Sequence, residues 1–214
     1  MQKTVIYGAG QLTKILLCEV EKNGLLDPAV LTVDEAYRQS DEAWGLPLLS
    51  FERIEESYSP AEYNMLIVCG SMATRSRERM YREAKAKGYR LLNYISPAAN
   101  LENEITMGDN NLIFGGAEIG FDGVMGCNNI IRHKVYLGHD FRMGDHNVLS
   151  VGCTIGGFSR IGSRCFFGFS VTAGPQRTFG DDCLIGMGSV VTKDIESGSK
   201  ALGNPARVVS RQTD

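Results

Sequence analysis

Three histidines, His133, His139 and His146, are this sequence's only side chains that ordinarily change charge near neutral pH. An imidazole so poised can take the proton that an amine or hydroxyl gives up as it attacks a carbonyl carbon. A second chemical feature is the run Gly8-Ala9-Gly10-Gln11-Leu12-Thr13, directly after the β-branched stretch TVIY. Two glycines there let the backbone turn sharply and approach a phosphate at a helix N-terminus, and they serve equally for a tight turn and an ordinary helix start. Thr13 stands where the dinucleotide fingerprint has its third glycine, and Asp34 follows at the tip of the next apolar run, where a ribose hydroxyl or base amide would be read. A full dinucleotide domain needs more chain than the first 95 residues provide, so a mononucleotide is the better fit. The six cysteines are widely spaced, with no CxxC pair and no histidine cluster at zinc-finger spacing, and read as reduced apolar fillers.

The elements that must carry these residues divide the chain in two. Before about residue 97, short β-branched runs alternate with amphipathic stretches, which predicts a small parallel sheet flanked by helices. The strands expected are Thr4–Tyr7, Val30–Val33, Met65–Cys69 and Arg90–Tyr94, with helices over Gln11–Asn23 and Ala73–Lys87. Of 25 glycines, 19 fall after residue 100, without collagen's three-residue period. The charge balance, 22 Lys and Arg against 25 Asp and Glu, gives no basic footprint for nucleic acid or an acidic membrane. There is no signal-peptide pattern and no apolar run long enough to span a bilayer, so a cytoplasmic chain without membrane insertion is expected.

From Met107 to Val191 every sixth residue is apolar, fifteen times in one register, and glycine follows it at eleven of those positions. That is the signature of a parallel β-helix of hexapeptide repeats, three repeats to a triangular coil of eighteen residues, with five coils over residues 105–194. The aliphatic residue points into the prism, and glycine sits where a side chain would crowd the next rung. Cys153, Ser159, Cys165, Cys183 and Ser189, two positions before an aliphatic, fit the remaining interior. Residues 201–207 are expected to form a short tail. Such prisms usually associate through their flat sides, as dimers or trimers.

An opening TVIYGAGQLTK, a VCGSMATR segment, a hexapeptide prism and a closing GNPAR together resemble the sialic-acid/bacillosamine-type sugar acyltransferases. The resemblance implies a homotrimer with a Rossmann-like nucleotide-sugar-binding α/β domain over residues 1–97 and a left-handed β-helix acyltransferase domain with its tail over 98–214. It implies N-acetylation of a UDP- or dTDP-linked deoxyamino sugar by acetyl-CoA, without a metal, as a step in glycan biosynthesis. Within Leu137-Gly138-His139-Asp140-Phe141-Arg142-Met143-Gly144 it makes His139 the general base, with Asp140, or Asp145, holding the ring. Gly157, one coil on, becomes the backbone donor to the thioester oxygen. Gly157, Ala173, Gly174, Met187, Lys193 and Arg207 are assigned to CoA, and Gly8, Ala9, Gly10, Asp34, Gly70, Met72 and Arg75 to the nucleotide sugar. The family carries a histidine and a glycine where Leu12 and Thr13 stand, a second histidine at Val148, and an asparagine near Arg132. Cys127 and Cys153 lack a base partner, which points to direct attack on the thioester. O-acetylation of a sugar hydroxyl is the near alternative, and a nonenzymatic scaffold a more distant one. The histidine spacings of six and seven residues do not match the zinc site of hexapeptide carbonic anhydrases.

Overall fold

A computed structural model describes residues 3–70, 74–103 and 105–211. The chain forms two compact units, Met1–Ser71 with Arg79–Asn93, and Met72–Glu78 with Tyr94–Asp214.

In the first unit β1 (Lys3–Tyr7) is apolar on both faces because it is a central strand, with Val5 and Ile6 fully buried. Helix α1 (Gln11–Asn23) buries Leu12, Leu16 and Val20 along one stripe and stops at Gly24, whose φ of 65° ends the helix in the left-handed conformation. Strand β2 (Asp27–Val33), the hairpin of β3 (Glu42–Ala43) and β4 (Leu46–Ser50), and β5 (Asn64–Ile67) complete a sheet of order β3-β4-β2-β1-β5. Its pairings are parallel except between β3 and β4. Helix α2 (Thr74–Ala86) follows β5. Two departures from the sequence reading have local causes. The β3–β4 hairpin turns through Trp44 and Gly45, both at positive φ, and the proline at position 47 hides the strand from a propensity reading. Residues 90–94 form no strand of this sheet: Leu91 makes one isolated bridge to Met65, and Tyr94–Ile95 leaves to begin the prism.

The second unit is a parallel β-helix. Two-residue strands recur every six residues and pair with the strand eighteen residues on, as in Ile119 with Leu137 and Leu137 with Ile155. Three sheets of six, five and eight strands result. Ile113, Ile119, Ile131, Leu137, Leu149, Ile155, Phe167 and Ile185 point inward and are essentially fully buried. Cys153, Ser159, Cys165 and Ser189 are also fully buried. Each corner turns through one residue at positive φ, two positions after the glycine: Asp122, Asp140, Phe158 and Gln176 at one corner, Asn128, His146, Arg164 and Asp182 at the next. Glycine's role is therefore steric. A Cβ on Gly138 would lie 2.5 Å from the Gly157 nitrogen of the next rung. Instead of a plain tail, Ser199–Leu202 adds to the third sheet beside Ile185, and Arg207–Arg211 folds back on it antiparallel.

Candidate active site

Because rungs repeat every eighteen residues, one corner of the prism stacks Phe121, His139, Gly157, Pro175 and Lys193 in a column. The left-handed turn at Asp140 folds its carboxylate back, so that Oδ2 lies 2.8 Å from His139 Nδ1. Asp145 is at the neighbouring corner, where its Oδ1 accepts the Cys127 N–H at 2.6 Å, so Asp140 is the carboxylate that holds the imidazole. The Phe121 ring stacks on the imidazole at 5.0 Å and 10°, and the Phe158 ring meets it at 5.0 Å and 83°. With Nδ1 engaged by Asp140, Nε2 is the ring nitrogen left open among the described residues. It faces the Gly157 backbone closely enough that an added Cβ there would be 3.0 Å away.

Gly157 also presents an unused donor. At the neighbouring corner the equivalent amides of Cys127, Asp145, Ser163 and Asp181 donate to the side chains of Asp145, Ser163, Asp181 and Ser197. The residue above Gly157 is Pro175, whose side chain carries no acceptor, and the Gly157 N–H has no partner among the described residues. A basic nitrogen beside an unused backbone donor can deprotonate a nucleophile while the donor takes the charge of a carbonyl oxygen. Alongside lies an open cavity of about 430 Å³ lined by Glu102, Asn103, Phe121 and Asp122.

Of the remaining residues expected at this end, Gly174 borders open space, with no atom within 4 Å of a would-be Cβ. Ala173 faces the prism interior. Lys193 is exposed at the top of the His139 column, Arg207 sits in the returning strand with Nη1 on the Ala206 carbonyl, and Met187, 74% exposed, lies at a different corner. His146 is buried, its Nδ1 2.8 Å from Asn128 Nδ2, and burial holds its pKa below the usual histidine value. His133 packs its ring against Phe114 at 5.1 Å. Burial pushes the Cys153 thiol up to about 11, and Cys165 is raised by its hydrogen bond with Cys183 and by burial, which makes both poor nucleophiles.

The first unit carries the glycine turn. Gly8, at φ 130°, lets its backbone approach the Val68 carbonyl so closely that a Cβ would sit 2.2 Å from that oxygen. Thr13 is the buried clamp of the turn, its hydroxyl donating to the Gly8 carbonyl at 2.9 Å. Gly10 caps α1 with no side-chain hydrogen bond and no atom within 4 Å of a would-be Cβ, and the first helical amides have no partner among the described residues, while the Ala9 carbonyl accepts the Trp44 indole N–H. Asp34 is engaged on both oxygens, by the Tyr7 hydroxyl and by Arg79 at 2.6 Å. Burial first, and then Asp34, pushes the Tyr7 phenol well above its ordinary pKa. Gly70 makes room for the Leu12 side chain. Arg75 belongs to the second unit, where it lies 3.2 Å from Asp182, and Met72 lies outside the described residues. A cavity of about 620 Å³ opens beyond β2 among Glu35, Arg38, Ser50, Glu52 and Arg53, and the glycine turn does not line it. Sequence reasoning missed Tyr7, Arg79, Phe121 and Phe158. The first two were legible only as core and surface residues.

No protein-family model matches the sequence, and no curated protein does. Solved structures do. A variant of perosamine N-acetyltransferase from Caulobacter crescentus, in complex with CoA and GDP-perosamine, is 23% identical with a TM-score of 0.89, over 100% of this chain and 98% of that one. This chain shares its fold. The acetyltransferase domain of PglB from Neisseria gonorrhoeae, in complex with acetyl coenzyme A, is 22% identical with a TM-score of 0.87, covering 97% and 99% of the two chains. WeeI from Acinetobacter baumannii follows at 19% identity and a TM-score of 0.70, over 98% and 100%. Among the described residues, no group of three or more His, Cys, Asp or Glu side chains could hold a metal ion, and no helix is long and apolar enough to cross a membrane.

Proposed function

We propose that this chain is an acyltransferase that moves the acetyl group of acetyl-CoA to the amino group of a nucleotide-linked deoxyamino sugar, with His139 as general base. The observation that carries the reading is the pairing of His139 Nε2 with the unused Gly157 N–H, on a fold shared with N-acetyltransferases holding CoA and GDP-perosamine. The acceptor nitrogen bonds to the thioester carbonyl carbon and passes a proton to Nε2. Asp140 on Nδ1 fixes the tautomer and stabilises the imidazolium, and the Gly157 N–H takes the charge developing on the oxygen. The C–S bond then breaks, the thiolate takes the proton from the imidazolium, and amide and CoA thiol are released.

The open edge at Gly174, with Lys193 above it, is the place for the pantetheine arm and a CoA phosphate, and Arg207 is a second candidate cation. Met187 stands at another corner of the prism, so in a homotrimer a neighbouring subunit would be the one to bring it to this edge. The amides at Gly8-Ala9-Gly10 are the site for the sugar nucleotide's phosphate, with Asp34 reading base or ribose. A cytoplasmic enzyme of glycan assembly completes the reading.

The test is thiol release on mixing the protein with acetyl-CoA and UDP-, dTDP- and GDP-linked amino sugars, with hydroxyl-only analogues as a second arm. Release with an amino sugar is expected, and His139→Ala should lower kcat by about 10²- to 10⁴-fold while leaving CoA binding intact. Release only with hydroxyl acceptors would replace N- by O-acetylation. No release with any acceptor while both ligands bind would sink the proposal.

A further inference from the structure

His139 is gripped by more than its carboxylate. Phe121 stands directly beneath it in the corner column with its ring parallel to the imidazole, and it is 44% exposed. The other side chains of the described column are Gly157, Pro175 and Lys193, so an aromatic ring is no requirement of the corner. The Phe121 backbone is fixed on both sides. Its N–H donates to Glu102 Oε2 at 3.1 Å, and its carbonyl accepts the Asp140 N–H at 2.9 Å. The ring against the imidazole face and the carboxylate on Nδ1 are thus coupled by one backbone hydrogen bond. Above, the Phe158 N–H donates to the His139 carbonyl at 2.9 Å and brings the second ring to the imidazole.

We infer that Phe121 is a positioning residue for His139, its ring face stabilising the imidazolium that forms when Nε2 takes the acceptor's proton. This rests on the reading of His139 as the base. The negative face of an aromatic ring attracts a cation within about 6 Å of its centroid. Here the charge exists only after proton transfer, so the attraction favours the transition state over the ground state. The proton travels from acceptor nitrogen to Nε2 to the departing sulfur, and Phe121 exchanges none. The charged groups around the ring are Asp140 on its own corner, Asp122 on the rung beneath, Glu102 on the rung below that, and Arg142, whose Nη1 donates to the carbonyls of Asp122 and Phe141. The corner above, Gly156-Gly157-Phe158-Ser159, carries no charge.

With only three histidines in the chain, the His139 ring signal can be assigned by NMR with His133→Gln and His146→Gln variants. In Phe121→Leu, which keeps apolar bulk and removes the ring, that signal should titrate about half a pH unit lower than in the wild type. The kcat should fall about threefold with KM for acetyl-CoA unchanged, and the acid limb of the pH profile should move by the same half unit. Phe121→Tyr should restore all three. An unshifted His139 titration in Phe121→Leu, or no rescue by tyrosine, overturns the inference. The titration needs no substrate, so a wild type that shows the Phe121 effect yet releases no thiol with any acceptor overturns the functional reading instead.

Discussion

Gly157 carries two demands at once, an unused N–H and the absence of a side chain. A methyl at its Cβ would meet His139 Nε2 at 3.0 Å and the His139 carbonyl at 3.1 Å, so the imidazole must swing to admit it. Gly157→Ala should therefore fold and bind CoA but lose about tenfold or more in kcat, as misplacing a base by a fraction of an ångström does. Steady-state kinetics beside a CoA titration would show it, and equal kcat in the two proteins would remove Gly157 from the site. That His139, Asp140 and Gly157 share one corner was legible in the sequence, because the rung length of eighteen places them there. That Phe121 and Phe158 press their rings on the imidazole was not: they lie eighteen and nineteen residues from His139, and only cross-rung stacking makes rings at that separation neighbours. Asp34 was legible as a strand-tip acid, but nothing in the spacing announced Tyr7 and Arg79 as its partners.

At the level of the rung, glycines that look alike in the repeat differ in what they hold apart. A Cβ on Gly138 would sit 2.5 Å from the backbone of the next rung, whereas Gly174 has nothing within 4 Å. Gly138→Ala should cost about 1–3 kcal/mol, and Gly174→Ala should leave stability within about 0.5 kcal/mol of wild type, both read by urea unfolding. Equal losses would mean that glycine serves the corner's conformation rather than its spacing. Gly8 is of the first kind, since backbone oxygen and positive φ both exclude a side chain there. The repeat was easy to read because one apolar position in six fixes register, face and coil length together. The hairpin at residues 42–50 was not, because Pro47 and a short first strand leave no alternating pattern to detect.

Across the whole molecule, two expectations can be measured. The proposed homotrimer should give about three times the monomer mass in light scattering, and a stable monomer that retains full activity would refute it. The buried His146 sets an acid limit. Its folded pKa is lowered by burial, so the unfolded chain binds the extra proton first as pH falls. The stability it contributes is complete above about pH 6.5, the unfolded value, and drains away below it. His146→Gln should flatten that decline in urea-unfolding series between about pH 7 and 5, and an unchanged slope would place the acid sensitivity elsewhere. Finally, Asp140 is at once the residue that holds the imidazole and a non-glycine at φ 55°. Glycine at this position would relax the turn and release the base, so thermal robustness and turnover pull on one codon in opposite directions. A selection for heat tolerance alone would erode catalysis first at this corner, while selection for both would have to find its stability elsewhere along the prism.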